Sequence, residues 1–478
     1  MRWRRLPACR AETSLGARHR PSVDAAANIS GAHSRCTLLV VTRIALILAA
    51  AAAALAGEWK AGVARVNITP KEPIWLAGYA ARTKPSEGVL QDLWLKALAL
   101  EDGSGAVSVL VTSDLLGFTR QMSEPVGERV QKKYGVARAR LILNASHTHS
   151  GPVTGQMLRP AYGLDEAQAA VINRYTAWLL DQVVDVIGQA VVDLKPATLD
   201  FEQGFAGFAV NRRRVGNRQY PGPVDHDVPV LAVRDGAGKL RAAVVGYACH
   251  ATVLADQLMN GDWPGFMQEA VEKTHPGTIA LFVAGCGADA NPLPRRSVDL
   301  ARKYGEILAE AARQVMAQKM APVGGPIKAV FDTVDLPFAT PPSRQEFEAK
   351  LNQSDPMHRR HARLMLDLLD RDGKLADRYP YPVQVWRFGP GLKLIVLGGE
   401  VVVDYALRFK AQYGWNDTWV AGYSNDVFAY IPSLRVLREG GYEGASAMIG
   451  YGQPAPFRPA VEEIVAEKVD ELMRQAAR

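Results

Sequence analysis

ARLILNASHTHS, residues 139–150, begins as a short apolar run and closes in hydroxyl and imidazole side chains. A run of this length bounded by polar residues reads as a strand. Six more stretches share the form: AVSVLVTSDLL at 106–116, VPVLAVRD at 228–235, LRAAVVGYACH at 240–250, TIALFVAGCG at 278–287, LKLIVLGGE at 392–400 and DTWVAGYSND at 417–426. Stretches with apolar residues three and four apart, the helical period, lie at 165–191, 297–318, 345–371 and 459–476. The mixture predicts an α/β domain, a layered mixed β-sheet with flanking helices, and puts chemistry in the loops that leave the strand ends. The charged helix at 345–371, preceded by ATPPS, is expected to be an insertion packed over the main body.

Composition agrees with a folded core. Of 478 residues, 48% are hydrophobic and 22% charged, which excludes disorder, collagen and coiled coil and allows one large domain or two ordinary ones. The net charge of +7 is concentrated at the start: residues 1–56 hold eight Arg, no Lys and two acids, leaving the remainder at +1. A nearly neutral body without a Lys/Arg run lacks the footprint of phosphate binding, so nucleic acid is set aside as a partner.

Ile44 to Ala56 is thirteen uninterrupted apolar residues behind Arg43, ending in Ala54-Leu55-Ala56, a small-x-small cleavage pattern. Thirteen helical residues rise about 20 Å, short of the roughly 30 Å hydrocarbon core, so residues 1–56 read as an export signal, with an uncleaved N-terminal anchor as the alternative. Residues 1–40 read as composition-biased filler, and the true start is expected near Val41. The protein is then secreted, periplasmic or membrane-tethered. Cleavage leaves two cysteines, Cys249 and Cys286, which frame no disulfide scaffold; if their strands are neighbours they could pair, and buried free thiols are the default.

The chemistry-bearing residues sit at the predicted strand ends. In an extended strand His147 and His149 share a face, and two imidazoles together suit a borderline metal such as zinc. The alternative H-x-H-x-D-H pattern of metallo-β-lactamase-like hydrolases is not completed, because Ser150 and Gly151 follow. His250 ends a second run, followed by NGDWPGF at 260–266 and a helix expected to start near Phe266. Asp289 follows a Gly-rich turn and reads either as a support for a ligand histidine or as a turn cap. Glu400 stands behind LKLIVLGG, where an unpaired carboxylate is costly to bury without a cation.

Taken in order, GVARVNITP, LAGYA, SHTHSGP, VNRR, the His250 strand, NGDWPG, GGE, SNDVFAYIPS and YEGAS resemble the neutral ceramidase family, zinc-dependent non-lysosomal amidases of the ceramide N-acyl bond. The resemblance runs through nearly all of the chain after residue 57. It implies zinc ligands at His147, His250, Glu400 and Tyr430, and groups facing the scissile amide at His149, Arg212 and Tyr442. A tyrosine ligand is unusual, since phenol ionises near pH 10 unless a cation binds it directly.

Two departures stand out against the family pattern. Its G-D-x-S-P turn carries a serine at the reaction centre, whereas aligning Asp-x-x-Pro puts Asn291 there. Asparagine cannot be a nucleophile, so water activated by the metal must serve. The β-sandwich that often follows the catalytic domain is also not expected before Arg478. The resemblance therefore implies a zinc amidase of ceramide or a related N-acyl lipid, acting on a substrate that resides at a membrane surface. The alternatives are a zinc hydrolase of another N-acyl or ester substrate, and an inactive exported binding protein on the same scaffold.

Overall fold

The computed structural model describes residues 59–478 apart from Arg218, so the expected signal, Cys9 and Cys36 lie outside the described residues. Strands β1 (Trp59–Asn67), β2 (Trp94–Glu101), β3 (Val107–Ser113), β4 (Leu141–Ala145), β5 (Lys195–Phe205), β6 (Asp227–Asp235), β7 (Leu240–Tyr247) and β8 (Ile279–Ala284) form the larger sheet. Their order is β8-β7-β6-β5-β1-β2-β3-β4, with Ala321–Pro322 added along β5. A second sheet runs β9 (Ile327–Pro337), β10 (Arg378–Phe388), β11 (Lys393–Leu397), β12 (Thr418–Ala421).

Within these two sheets three strand pairs are parallel: β3 with β4, β7 with β8, and β11 with β12. A parallel pair needs a crossover, and each has a helix: α1 (Arg120–Tyr134), α3 (Asp262–Thr274) and α6 (Val403–Tyr413) respectively. The other helices used below are α2 (Glu166–Val192), α4 (Val298–Met316), α5 (Pro356–Asp372) and α7 (Val461–Gln475).

Strand periodicity sorts the apolar side chains into layers. Along β7, Ala243 and Val245 pack with Leu179 of α2, Met267 of α3 and Leu308 of α4. Ala242 and Val244 instead meet Leu394, Trp386 and Trp419 of the second sheet. The far face of that sheet, with Val383, Ile395 and Leu397, is covered by Phe409 of α6 and Val469 of α7. The layers are thus helix, sheet, sheet, helix, the mixed α/β architecture expected, with the two sheets stacked directly. No helix among the described residues is long and apolar enough to cross a membrane.

Two expected helices differ in detail. The stretch 345–371 is two helices, Arg344–Lys350 and α5, because Pro356 takes the first position of a new helix and the Asp355 carboxylate accepts the Met357 N–H. They share a small core of Phe347, Ala362, Met365 and Leu366, and α5 lies against residues 159–161 as an outlying layer. The helix after NGDWPG begins at Asp262, four residues before Phe266.

Candidate functional site

The two sheets meet at the ends of β4, β8 and β12. Asn144 ties them together: its Nδ2 donates to the Gly422 carbonyl and to Ser424 Oγ, both at 2.9 Å, while its Oδ1 accepts the Ala284 N–H at 3.0 Å. His147, His250 and Glu400 emerge just beyond β4, β7 and β11, and this junction sets where they point.

The histidine pair is brought together by a turn and not by strand pleating, which corrects the extended-strand reading. β4 ends at Ala145, and His147 has φ of 59°, in the left-handed region. The imidazole centroids of His147 and His149 are still 5.0 Å apart. LAGYA explains the approach of His149: Gly78 has φ of 92°, and a Cβ there would lie 2.4 Å from the His149 ring. Tyr79 packs on the same ring with centroids 4.7 Å apart, and Arg82 Nη1 donates to the His149 carbonyl at 2.7 Å. NGDWPG anchors His250 from behind, where Trp263 Nε1 donates to the His250 carbonyl at 2.9 Å. Asp262 accepts the N–H groups of Val253, Leu254 and Trp263, while burial pushes its carboxyl up to about 6.

Hydrogen bonding assigns the tautomers. His147 Nδ1 lies 2.7 Å from the Leu116 carbonyl and His250 Nδ1 lies 2.8 Å from the Gly287 carbonyl. A carbonyl can only accept, so each Nδ1 carries the proton and each Nε2 presents a lone pair. Both lone pairs face Glu400 Oε2, at 3.2 and 3.0 Å, and the Tyr430 hydroxyl is 3.3 Å from His250 Nε2. Acceptors crowded this way repel unless a cation lies among them. Bonds of 2.0–2.1 Å to a tetrahedral centre separate ligand atoms by roughly 3.3 Å, close to what is seen. His147 Nε2, the Tyr423 hydroxyl and both nitrogens of His149 are buried without protein partners, as suits groups that take an ion or a polar substrate.

His147, His149 and His250 form a metal-capable cluster, their ligand atoms within 4.8 Å of one another. Glu400 joins this cluster: its Oε2 lies 3.2 Å from His147 Nε2 and 3.0 Å from His250 Nε2. The donor set His147, His250, Glu400 and Tyr430 can therefore hold a borderline divalent metal, with the His149 ring packed beside those of His147 and His250.

Electrostatics follow from burial and neighbours. Burial, then the Arg212 charge, lowers His250 to about 4, and burial with His147 drives His149 well below its ordinary range, so both are neutral near pH 7. Burial opposes ionisation of Glu400, and with the rings of His147 and His250 neutral, the charge that would offset burial and keep the carboxyl ionised is a cation among the three. Burial raises the Tyr430 phenol, against the pull of Arg212. Neutral imidazoles and an ionised carboxylate are the forms that bind metal.

Arg212 spans the site. Its Nη2 donates to the Tyr430 hydroxyl at 3.0 Å, its Nη1 lies 3.4 Å from His250 Nε2, and its Nε donates to Glu443 Oε1 at 2.6 Å. The Tyr442 ring centroid is 5.3 Å from that of Tyr430 and 5.7 Å from the Arg212 Cζ, with the residue 52% exposed at the rim. Asn291 is buried one strand away, in Ala290–Pro292 paired with Ala209–Asn211; its one side-chain bond is from Thr252 Oγ1 at 3.4 Å. Asp289 supports no histidine. It accepts the Val403 N–H at the start of α6 and the Asn211 amide, so of its two readings the cap holds.

Three residues at the site had no signal in the sequence reading. Glu443 bridges Arg212 and Arg213, the Tyr451 hydroxyl donates to Glu400 Oε1, and Tyr423, with φ of 49°, packs its ring tilted against His147 with centroids 4.4 Å apart. Each sits in a loop or short helical turn without apolar periodicity; only the left-handed backbone at Tyr423, visible in coordinates alone, marks it. Cys249 and Cys286 are buried free thiols beside this floor.

Residues 59–291 match the model of a family described as neutral/alkaline non-lysosomal ceramidase, N-terminal. Neutral ceramidase B of Dictyostelium discoideum is 27% identical over 230 residues, which cover 44% of this chain and 32% of that protein. The chain thus matches about a third of that relative's length. The crystal structure of neutral ceramidase from Pseudomonas aeruginosa is similar with a TM-score of 0.70 at 20% identity, over 88% of this chain and 75% of that one. A ceramidase structure complexed with C2 has a TM-score of 0.66 at 19% identity, over 85% and 73%. At these identities the structural likeness speaks for the fold, and it extends beyond residue 291.

Proposed function

Through residues 59–291 this chain belongs to the neutral/alkaline non-lysosomal ceramidase family, N-terminal domain, and on that premise we propose that it is a zinc-dependent amidase hydrolysing the N-acyl bond of ceramide or a related N-acyl lipid. The observation that carries the reading is the convergence of two imidazole lone pairs, Glu400 Oε2 and the Tyr430 hydroxyl beside the unpartnered His149. His147, His250, Glu400 and Tyr430 hold the zinc. Zinc bound there would supply Lewis acidity toward the amide carbonyl and toward water near neutral pH.

The chain's own residues do the rest. His149 is neutral, with both ring nitrogens unengaged, and takes the proton from attacking water and passes it to the leaving amine nitrogen. Arg212, fixed by Glu443 and Tyr430, places a permanent positive charge where the amide oxygen becomes negative, and Tyr442 at the rim positions the substrate. Asn291 offers an amide hydrogen bond in place of a hydroxyl and forms no acyl intermediate. That same replacement favours a second reading, a zinc hydrolase of another N-acyl or ester substrate. We read residues 1–56 as an export signal or anchor that brings the domain to lipid at a membrane surface; N-terminal sequencing checks the start expected near Val41, and a peptide from residues 1–40 in the mature protein refutes that start.

The test is a panel of N-acyl amides and esters, including a fluorescent short-chain ceramide, assayed with zinc-replete protein. Preferred turnover of N-acyl sphingoid substrates is expected. Preference for esters moves the function to the second reading, and no turnover of any member, with a full zinc complement, leaves the inactive binding protein.

A further inference from the structure

The Tyr451 that donates to Glu400 Oε1 also lines a cavity of about 370 Å³. The cavity lies under α5. Arg360 of this helix donates from Nε and Nη2 to the carbonyls of Pro160 and Ala161 at 2.8 and 3.0 Å, and His361 Nε2 bonds to the Gln453 carbonyl at 2.8 Å. The helix is pinned across the cavity, and its Leu364 and Leu368 line it while remaining only half-buried. Met157, Leu158, Val427 and Phe428, all buried, complete the apolar wall.

The same cavity contains Arg159. Among the described residues its guanidinium has no hydrogen bond and no ion pair, and its Nη1 is buried without a partner. A guanidinium stays charged at any physiological pH, and its planar fork is matched by a carboxylate. The residue before it, Leu158, has φ of 51°, a strained conformation for leucine that aims the segment and that functional sites characteristically retain. The other charged group of opposite sign in the lining, Asp426, is already engaged by the Tyr379 hydroxyl at 2.7 Å and the Arg120 N–H at 3.0 Å. An unpaired cation in an apolar cavity calls for an anionic head on an apolar tail.

We propose that this cavity binds a free medium-chain carboxylate, its head on Arg159 and its tail along Met157, Leu364 and Leu368. Only the source of the ligand rests on the proposed function, because an N-acyl amidase releases such an acid. At roughly 30 Å³ per heavy atom, the share a water takes in the liquid, 370 Å³ holds about twelve heavy atoms, the size of decanoate.

The test titrates the full chain with decanoate and with decan-1-ol by isothermal calorimetry, and uses no turnover, so failure of the amidase reading leaves the outcome intact. Wild type is expected to bind about one decanoate, Arg159→Gln to bind it about tenfold more weakly or worse, and Arg159→Lys to recover part of the loss. Decan-1-ol should bind wild type and Arg159→Gln equally. Leu364→Trp, which fills the cavity, should bind neither; unchanged thermal unfolding and zinc content in each variant show that the fold is kept. Decanoate affinity that is the same in wild type, Arg159→Gln and Leu364→Trp overturns the proposal, as does failure of wild type to bind.

Discussion

Replacing Glu443 by glutamine tests whether Arg212 is held in place or merely nearby. The Glu443 carboxylate is 6% exposed, with Oε1 2.6 Å from Arg212 Nε and Oε2 2.5 Å from Arg213 Nη1. Glutamine keeps one acceptor oxygen and turns the other into a donor facing a guanidinium, so one charge-assisted bond is lost. Arg213 retains Glu439 at 3.1 Å and the Gly440 carbonyl at 2.9 Å, whereas Arg212 retains only Tyr430 and the edge of His250. Breaking a buried pair outright costs about 3–5 kcal/mol, but with these remaining partners the loss should fall near that of one charged hydrogen bond, about 2 kcal/mol.

The effect on rate should exceed that on stability. If Arg212 drifts by about 1 Å from the position where the amide oxygen gains charge, kcat/KM should fall on the order of 10²-fold. Arg212 and Arg213 hold the Glu443 carboxyl below its usual range despite burial. A depressed carboxylate stabilises the fold above its unfolded pKa and loses that contribution as pH falls through the folded one, so the difference between wild type and variant should be constant above about pH 5 and shrink below it. The assay is thermal unfolding against pH with kcat/KM on a short-chain ceramide, and Glu439→Gln is the control. A Glu443→Gln protein that loses stability as expected but keeps kcat/KM within about twofold refutes the role given to Arg212.

Elemental analysis should find about one zinc per chain, absent from His147→Ala and His250→Ala along with activity; full zinc in the His250→Ala protein refutes the ligand set. Wild type should hydrolyse its lipid without an acyl-enzyme burst, because Asn291 costs at most one transition-state hydrogen bond, about 10² to 10³ in rate relative to a serine. An inactive wild type with a strongly active Asn291→Ser variant overturns that mechanism. Thiol titration of the unfolded, unreduced protein should count Cys249 and Cys286 as free, while in the native protein burial, which pushes both thiols far up, should make their reaction slow.

The seven strands legible in the sequence are those whose apolar runs are continuous. β5 was not, because Leu199 and Phe201 are its two buried apolar residues and Pro196, Asp200, Glu202 and Gly204 interrupt them. β10 carries two prolines and β9 alternates with exposed Lys328 and Asp332, so neither reads as a run. The separation into two stacked sheets was hidden for a different reason: pairings such as β5 with β6 and β1 with β5 join distant segments, and periodicity records which face is buried but not against what. The histidines and Glu400 were visible because each stands directly behind such a run. Tyr430 needed the resemblance, and Glu443 and Tyr451 needed coordinates.

How the site is held explains why its parts could be found unevenly. Glu400–Val401 and Tyr430–Ile431 pair in parallel with Glu400 opposite Tyr430, so the two oxygen donors share a face by register; a slip of one residue would turn the phenol to the other side. Gly399 permits the pairing, with φ of 72° and no room for a Cβ, which would lie 2.7 Å from the Ile431 side chain and 2.8 Å from the Ala429 carbonyl. The nitrogen donors are oriented independently, each by a backbone carbonyl on its Nδ1. Two donors are therefore positioned by strand register and two by tautomer, and neither device depends on the metal. The crowding of the His147 and His250 Nε2 lone pairs on Glu400 Oε2 is already present without a cation, and this is why the donor set, more than the sequence motif, argues for one.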